Sequence, residues 1–167
     1  MTAEDSMKVK RILVPLDGSP LAETALPAAL ELARTSGGAV LLLRTIEVPA
    51  PSPEPGPVRL EVAREAERYL DDVARRLRGE GARDVAVALW QGSAGQAIVT
   101  AADRHDVDMI VMTTHGRTGL QRDCFGSVAE AVLRGTGRPV LVVRAGGAGC
   151  EAPPGHAAPL GAGRSAA

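Results

Sequence analysis

Aromatic side chains are almost missing from this chain, which holds one Trp, one Tyr and one Phe in 167 residues. Proteins that grip single-stranded nucleic acid stack its bases on exposed rings, so the shortage weighs against that mode of binding. A core here has to be assembled from Val, Leu, Ile and Ala. Net charge is also lacking: 19 basic against 20 acidic residues leave −1. No global basic field exists to draw DNA or an anionic membrane, so neither is expected as a partner. The only lysines are Lys8 and Lys10; every other basic residue is arginine. Two cysteines, Cys124 and Cys150, have no metal-ligand spacing and make no disulfide framework. The longest apolar run, Ala39 to Leu43, falls far short of the ~20 residues of a membrane helix. Met1 to Lys10 contains no apolar signal region. Both absences point to the cytosol.

Several catalytic signatures are missing too. No G-x-x-x-x-G-K-[ST] occurs, and no G-x-G-x-x-G follows the first apolar run, which removes the P-loop NTPases and the dinucleotide fingerprint. No G-x-S-x-G elbow and no Cys- or His-rich metal spacing is present. Beyond phosphate handling the residues give catalysis no support, and no metal site or catalytic residue is assigned; a weak ATPase is the most they allow.

What is present is a regular alternation. Hydrophobic residues make up 45% of the chain, enough for one globular domain with a real core. Arg11 to Leu16 reads as a strand ending in the turn dipeptide Asp17-Gly18. Ser19-Pro20 opens a helix whose inward face runs through Ala22, Ala25, Leu26, Ala29, Leu32 and Ala33, stopped by Gly37-Gly38. Pro27 lies inside that run, so a lost hydrogen bond to the Glu23 carbonyl and a kink are expected. Val40 to Ile46 is a second strand. Pro49, Pro51, Pro53, Pro55 and Pro57 describe an extended, exposed connection. A helix over 60–78, a strand from Val85 to Trp90, a helix capped by Ser93, and strands from Asp108 to Thr113 and Val140 to Val143 complete the series. Strands alternating with helices give an α/β fold, a doubly wound parallel sheet with helices on both faces. Residues 1–7 and the Gly/Ala/Pro-rich residues 145–167 are expected to be disordered, leaving 8–144 as the domain.

The most informative stretch follows the fourth strand: Thr113-Thr114-His115-Gly116, nine residues, then Gly126-Ser127 at the start of a helix-like run. A strand that opens into a glycine-containing loop and returns at a helix N-terminus offers unpaired N–H groups and the positive end of the helix dipole to phosphate. Each residue carries two readings. Gly116 is a turn residue or a point of close backbone approach. Ser127 is a plain N-cap or a phosphate ligand. Arg117 and Arg122 are solvated or pair with phosphate charge. Asp17 forms its own turn or accepts from an adenine amino group or a ribose hydroxyl. His115 could hydrogen-bond ribose or phosphate, but it has no acid or nucleophile beside it in sequence and is no candidate base; Cys124 reads as a loop residue.

These segments, taken together, resemble the universal stress proteins, the UspA-like domain. Ile12 to Ser19 looks like that family's first strand and turn, Asp108 to Arg117 like its fourth, and Gly126-Ser127-Val128-Ala129-Glu130 with Arg138 to Val143 like its close. The family's ATP binders carry G-x-x-G, nine residues, then G-S/T. Gly116, the nine residues Arg117 to Phe125, Gly126 and Ser127 match, while Thr113 stands where the first glycine is expected. The resemblance implies an adenine-nucleotide alpha-hydrolase-like fold, five strands in the order 3-2-1-4-5. It implies an adenine pocket at Pro15, Leu16, Asp17 and Thr45, and ribose and triphosphate of ATP, with Mg2+ as companion ion, near Met112, Thr113, Gly116, Gly126, Ser127 and Val128. It also implies a homodimer paired through strand 140–143 and a regulatory, stress-resistance role. Thr113 leaves a second reading open, a dimeric interaction module of the same fold that binds no nucleotide.

Overall fold

The computed structural model of the chain describes residues 9–46, 57–114 and 126–144. Ten elements follow in order: β1 (Arg11–Leu16), α1 (Pro20–Glu23), α2 (Leu26–Ser36), β2 (Ala39–Ile46), α3 (Pro57–Gly79), β3 (Val85–Gln91), α4 (Ala94–Arg104), β4 (Met109–Thr114), α5 (Ser127–Gly135) and β5 (Val140–Arg144). The strands form one parallel sheet in the order β3-β2-β1-β4-β5, the doubly wound arrangement expected from the sequence. Winding reverses between β1 and β4. Crevices in such sheets open there, at the carboxyl ends of the two strands.

Pro15 helps to open this one. A proline in a central strand is unusual, because it has no N–H to give the ladder. β1 pairs with β2 along its whole length, Arg11↔Ala39 to Leu16↔Arg44. With β4 it pairs only at Ile12↔Met109 and Leu13↔Ile110. Pro15 lies beyond the last of these pairs, where β1 and β4 have parted.

The period-two alternation of the strands divides the core between two faces. Ile12, Val14, Leu16, Val40, Leu42 and Val111 face α2 and α3, packing with Leu26, Leu30, Leu70 and Leu77. Leu13, Leu41, Leu43, Ile110 and Met112 face α4 and α5, packing with Ile98, Ala101 and Val132. Both clusters are aliphatic, as the shortage of rings requires.

Several boundaries differ from the sequence reading, each for a local reason. The first helix is two helices. The chain breaks at Thr24–Ala25, and α2 restarts at Leu26, so Pro27 occupies the second position of a new helix. Its missing N–H falls among the groups that have no intrahelical partner anyway, and the interruption stands before the proline. Pro57 is not part of the connection but the first residue of α3, a position that suits its fixed φ. Asp108 precedes β4: its carboxylate accepts from the backbone N–H groups of Lys10 (2.8 Å) and Arg11 (2.9 Å), tying the entrances of β1 and β4 together. The connection over 47–56, residues 1–8 and the tail 145–167 lie outside the described residues.

Candidate functional site

A cleft of about 210 Å³ lies at the switch point, lined by Pro15, Leu16, Asp17, Ala22, Leu43, Thr45, Ala94, Ile98, Met112, Thr113, Thr114, Gly126, Ser127, Val128 and Ala129. Pro15, Leu16, Asp17, Thr45, Met112, Thr113, Gly126, Ser127 and Val128, which the sequence reading had singled out, therefore share one wall-to-wall space. Gly116, Arg117, His115, Arg122 and Cys124 lie outside the described residues.

One end of the cleft is the start of α5. Gly126 is the N-cap, in extended conformation (φ −67°, ψ 160°), and its carbonyl accepts from Glu130 N at 2.9 Å. Ser127 is thus the first helical residue and not the cap, which sets aside its reading as a plain N-cap. Its exposed hydroxyl makes no hydrogen bond to a described residue. Gly126 has no side chain with which to cap, so the first amides of α5 face outward without a partner from their own helix. They carry the positive end of the helix dipole.

The opposite wall is the β1–α1 turn. Asp17 Oδ1 accepts from Ser19 N at 2.8 Å, so the turn-forming reading of Asp17 is the observed one. Gly18 follows with φ +87°, a left-handed conformation that favours glycine. Ser19 caps α1, accepting from Ala22 N at 3.1 Å. Asp17 lines the cleft as well as making its turn.

Thr113 is held by two bonds. Its hydroxyl lies 3.3 Å from the Ala22 carbonyl and 3.2 Å from Thr24 Oγ1. Strand alternation puts it on the α1 side of the sheet, whereas its neighbour Met112 packs on the α5 side. The Cβ that replaces the expected glycine's hydrogen therefore does not stand between the cleft and the α5 amides.

Behind α1 a polar cluster fixes its other side. Tyr69 of α3 donates to Glu23 Oε1 at 2.9 Å, Arg76 donates to Glu23 Oε2 at 2.5 Å, and the Arg44 guanidinium sits 5.0 Å from the Tyr69 ring centre. Burial, and then the Glu23 carboxylate that the phenol bonds to, hold the Tyr69 pKa far above its ordinary 10. The sign follows from linkage: a phenol harder to ionise in the folded state lends stability that is complete below pH about 10 and is lost as pH climbs through the folded pKa. Tyr69 is the only tyrosine of the chain, so tyrosinate absorbance reports it alone. The expected titration shows no absorbance rise near pH 10 in the folded protein and a rise together with unfolding at higher pH. An ordinary titration near pH 10 with the fold intact would contradict the cluster.

Ala22, Leu43, Ala94, Ile98, Thr114 and Ala129 line the cleft without having been singled out. A usable signal existed for some. Leu43 lies two residues before Thr45, and residues two apart share a strand face. Ala94 and Ile98 are four apart on one helix face. Thr114, buried at 2% exposure, gave none, since a threonine ending a strand is ordinary.

A doubly wound α/β sheet with an open helix N-terminus at its switch point defines the class. The family is settled by comparison: the model of the universal stress protein family matches residues 8–144, and the chain belongs to that family. Universal stress protein MJ0531 of Methanocaldococcus jannaschii is 30% identical over 139 residues, 81% of this chain and 82% of that protein. The solved structure of MJ0577 from the same organism superposes with a TM-score of 0.69 at 29% identity, covering 84% of this chain and 99% of the other. A universal stress protein of Archaeoglobus fulgidus in complex with dAMP superposes with a TM-score of 0.61 at 28% identity, covering 81% and 98%. Among the described residues no helix is long and apolar enough to cross a membrane, and no three His, Cys, Asp or Glu side chains gather as a metal would need.

Proposed function

We propose that the chain binds an adenine nucleotide, ATP with Mg2+, in the switch-point cleft and acts as a cytoplasmic, dimeric regulatory module of the stress response. The observation that carries the reading is the convergence of the uncapped α5 N-terminus with an apolar wall made by Pro15, Leu16 and Leu43. The first suits a phosphate chain and the second the flat apolar face of a base. The dAMP bound by the Archaeoglobus relative supports the class of ligand. Residues Gly116 and Arg117 would complete the phosphate site from the loop. Thr113, which favoured a module without nucleotide, loses weight as an obstacle, because its side chain is turned to α1 and away from α5.

Dimerisation is assigned to β5, the sheet's edge, where Leu141 is 38% exposed. An apolar edge strand left bare is a liability, and pairing with a second copy removes it. Light scattering over a dilution series measures this. For the ligand, the protein is purified without added ATP, its nucleotide content is measured, and the stripped protein is titrated calorimetrically with ATP and Mg2+. Co-purified nucleotide or saturable heat is expected; no nucleotide and no heat at millimolar ATP sinks the reading.

A further inference from the structure

We propose that Thr113 reads the sugar of the bound nucleotide, by accepting a hydrogen bond from a ribose hydroxyl; the proposal rests on the nucleotide reading above. A threonine hydroxyl has one hydrogen to donate and two lone pairs with which to accept. Thr24 spends its hydrogen on the Leu21 carbonyl, at 2.7 Å the shortest bond of the group. The 3.2 Å contact between Thr24 Oγ1 and Thr113 Oγ1 is therefore donated by Thr113, which shares its one hydrogen between Thr24 Oγ1 and the Ala22 carbonyl. No described residue donates to Thr113 Oγ1 in return. At the edge of the cleft it is left as an acceptor with its orientation already fixed.

Position supplies the rest. Along the sheet the cleft runs from Leu43 and Thr45 on β2, past Pro15 and Leu16 on β1, to Thr113 on β4 and the α5 amides beyond. A base against the first group and phosphates at the last put the sugar at β4. The group it presents to an oriented acceptor must be a donor, and a ribose hydroxyl is the donor the sugar has. A glycine at this position has no side chain to make the contact, so sugar selectivity would be a property of this chain's own Thr113.

The experiment is a calorimetric titration of ATP, 2′-deoxy-ATP and 3′-deoxy-ATP into the stripped full-length protein and its T113V and T113S variants. The protein is expected to bind ATP about 3- to 10-fold more tightly than at least one deoxy analogue, the worth of one neutral hydrogen bond. T113V, of nearly the same shape, should bring that ratio to about one, and T113S should keep it. Equal affinities for all three ligands in the parent protein would overturn the proposal. So would a ratio unchanged in T113V, or a T113V loss shared equally by the three, which would mean that Thr113 only anchors α1. Failure of the parent protein to bind any of them overturns the nucleotide reading itself, and this proposal with it.

Discussion

Ser127→Asp is expected to weaken ATP binding by more than about 100-fold while leaving the protein as stable as before or slightly more so. The two effects have opposite signs because they have different partners. A carboxylate in the first turn of α5 complements the helix dipole, worth about 0.3–1 kcal/mol. Ser127 is exposed and bonded to no described residue, so no packing is lost. Towards a phosphate the same carboxylate is a like charge. Two unit charges about 4 Å apart repel by about 4 kcal/mol at the effective dielectric near a protein surface, and a multiply charged tail meets more than one such term. Repulsion therefore exceeds the dipole gain several-fold, and it acts only when ligand is present. Thermal melts with and without ATP and a calorimetric titration separate the two. Unaltered affinity would place the phosphates away from α5, and a marked loss of stability would mean that the residue has a structural role.

That contrast depends on a detail of one residue, and such details mark where sequence reasoning stopped. Strand positions and the order of the elements were readable because both faces of the sheet are covered, which makes each strand a continuous aliphatic run. The Asp17-Gly18 turn and the Ser19 cap were readable because their chemistry is local, completed within three residues. The break at Thr24–Ala25 was not. Apolar spacing continues across it, and Pro27 looks like an interior proline until a helix start is placed one residue before it. The choice between the two readings of Ser127 stayed open for a similar reason: Gly126 and Ser127 are both acceptable caps, and only the backbone at Gly126 decides. The orientation of Thr113 was beyond reach altogether. Its partners Ala22 and Thr24 are 91 and 89 residues away, joined to it by the fold alone.

The same limit applies to Gly95, which sequence presents as one small residue in an alanine-rich helix. In the structure it is where α4 touches α5. A Cβ built on Gly95 would lie 2.6 Å from the Ala131 Cβ, closer than real side chains approach. One turn on, Gly135 of α5 receives Val99 of α4 in the same way, a Cβ there meeting the valine methyl at 3.1 Å. Val99 can shift a methyl group. Ala131 cannot, because its Cβ is fixed to the backbone of α5. Two effects then compete in Gly95→Ala. Helix propensity favours alanine by up to about 1 kcal/mol, while overpacking at a site that cannot relax costs about 1–3 kcal/mol. The clash is expected to win, lowering the melting temperature by several degrees and pushing α5 away from α4. Because Ala94 and Ser127 bring both helix starts to the cleft, affinity for ATP should fall with it. The reciprocal change discriminates this from a general loss of stability. Ala131→Gly on its own costs about 1 kcal/mol of propensity, yet in the double variant it removes the atom that Gly95→Ala strikes. The double variant should be more stable than Gly95→Ala alone, a coupling that distant or independent sites do not show. Simple addition of the two losses would mean that the helices do not meet at Gly95, and the α5 amides would then owe their place in the cleft to other contacts.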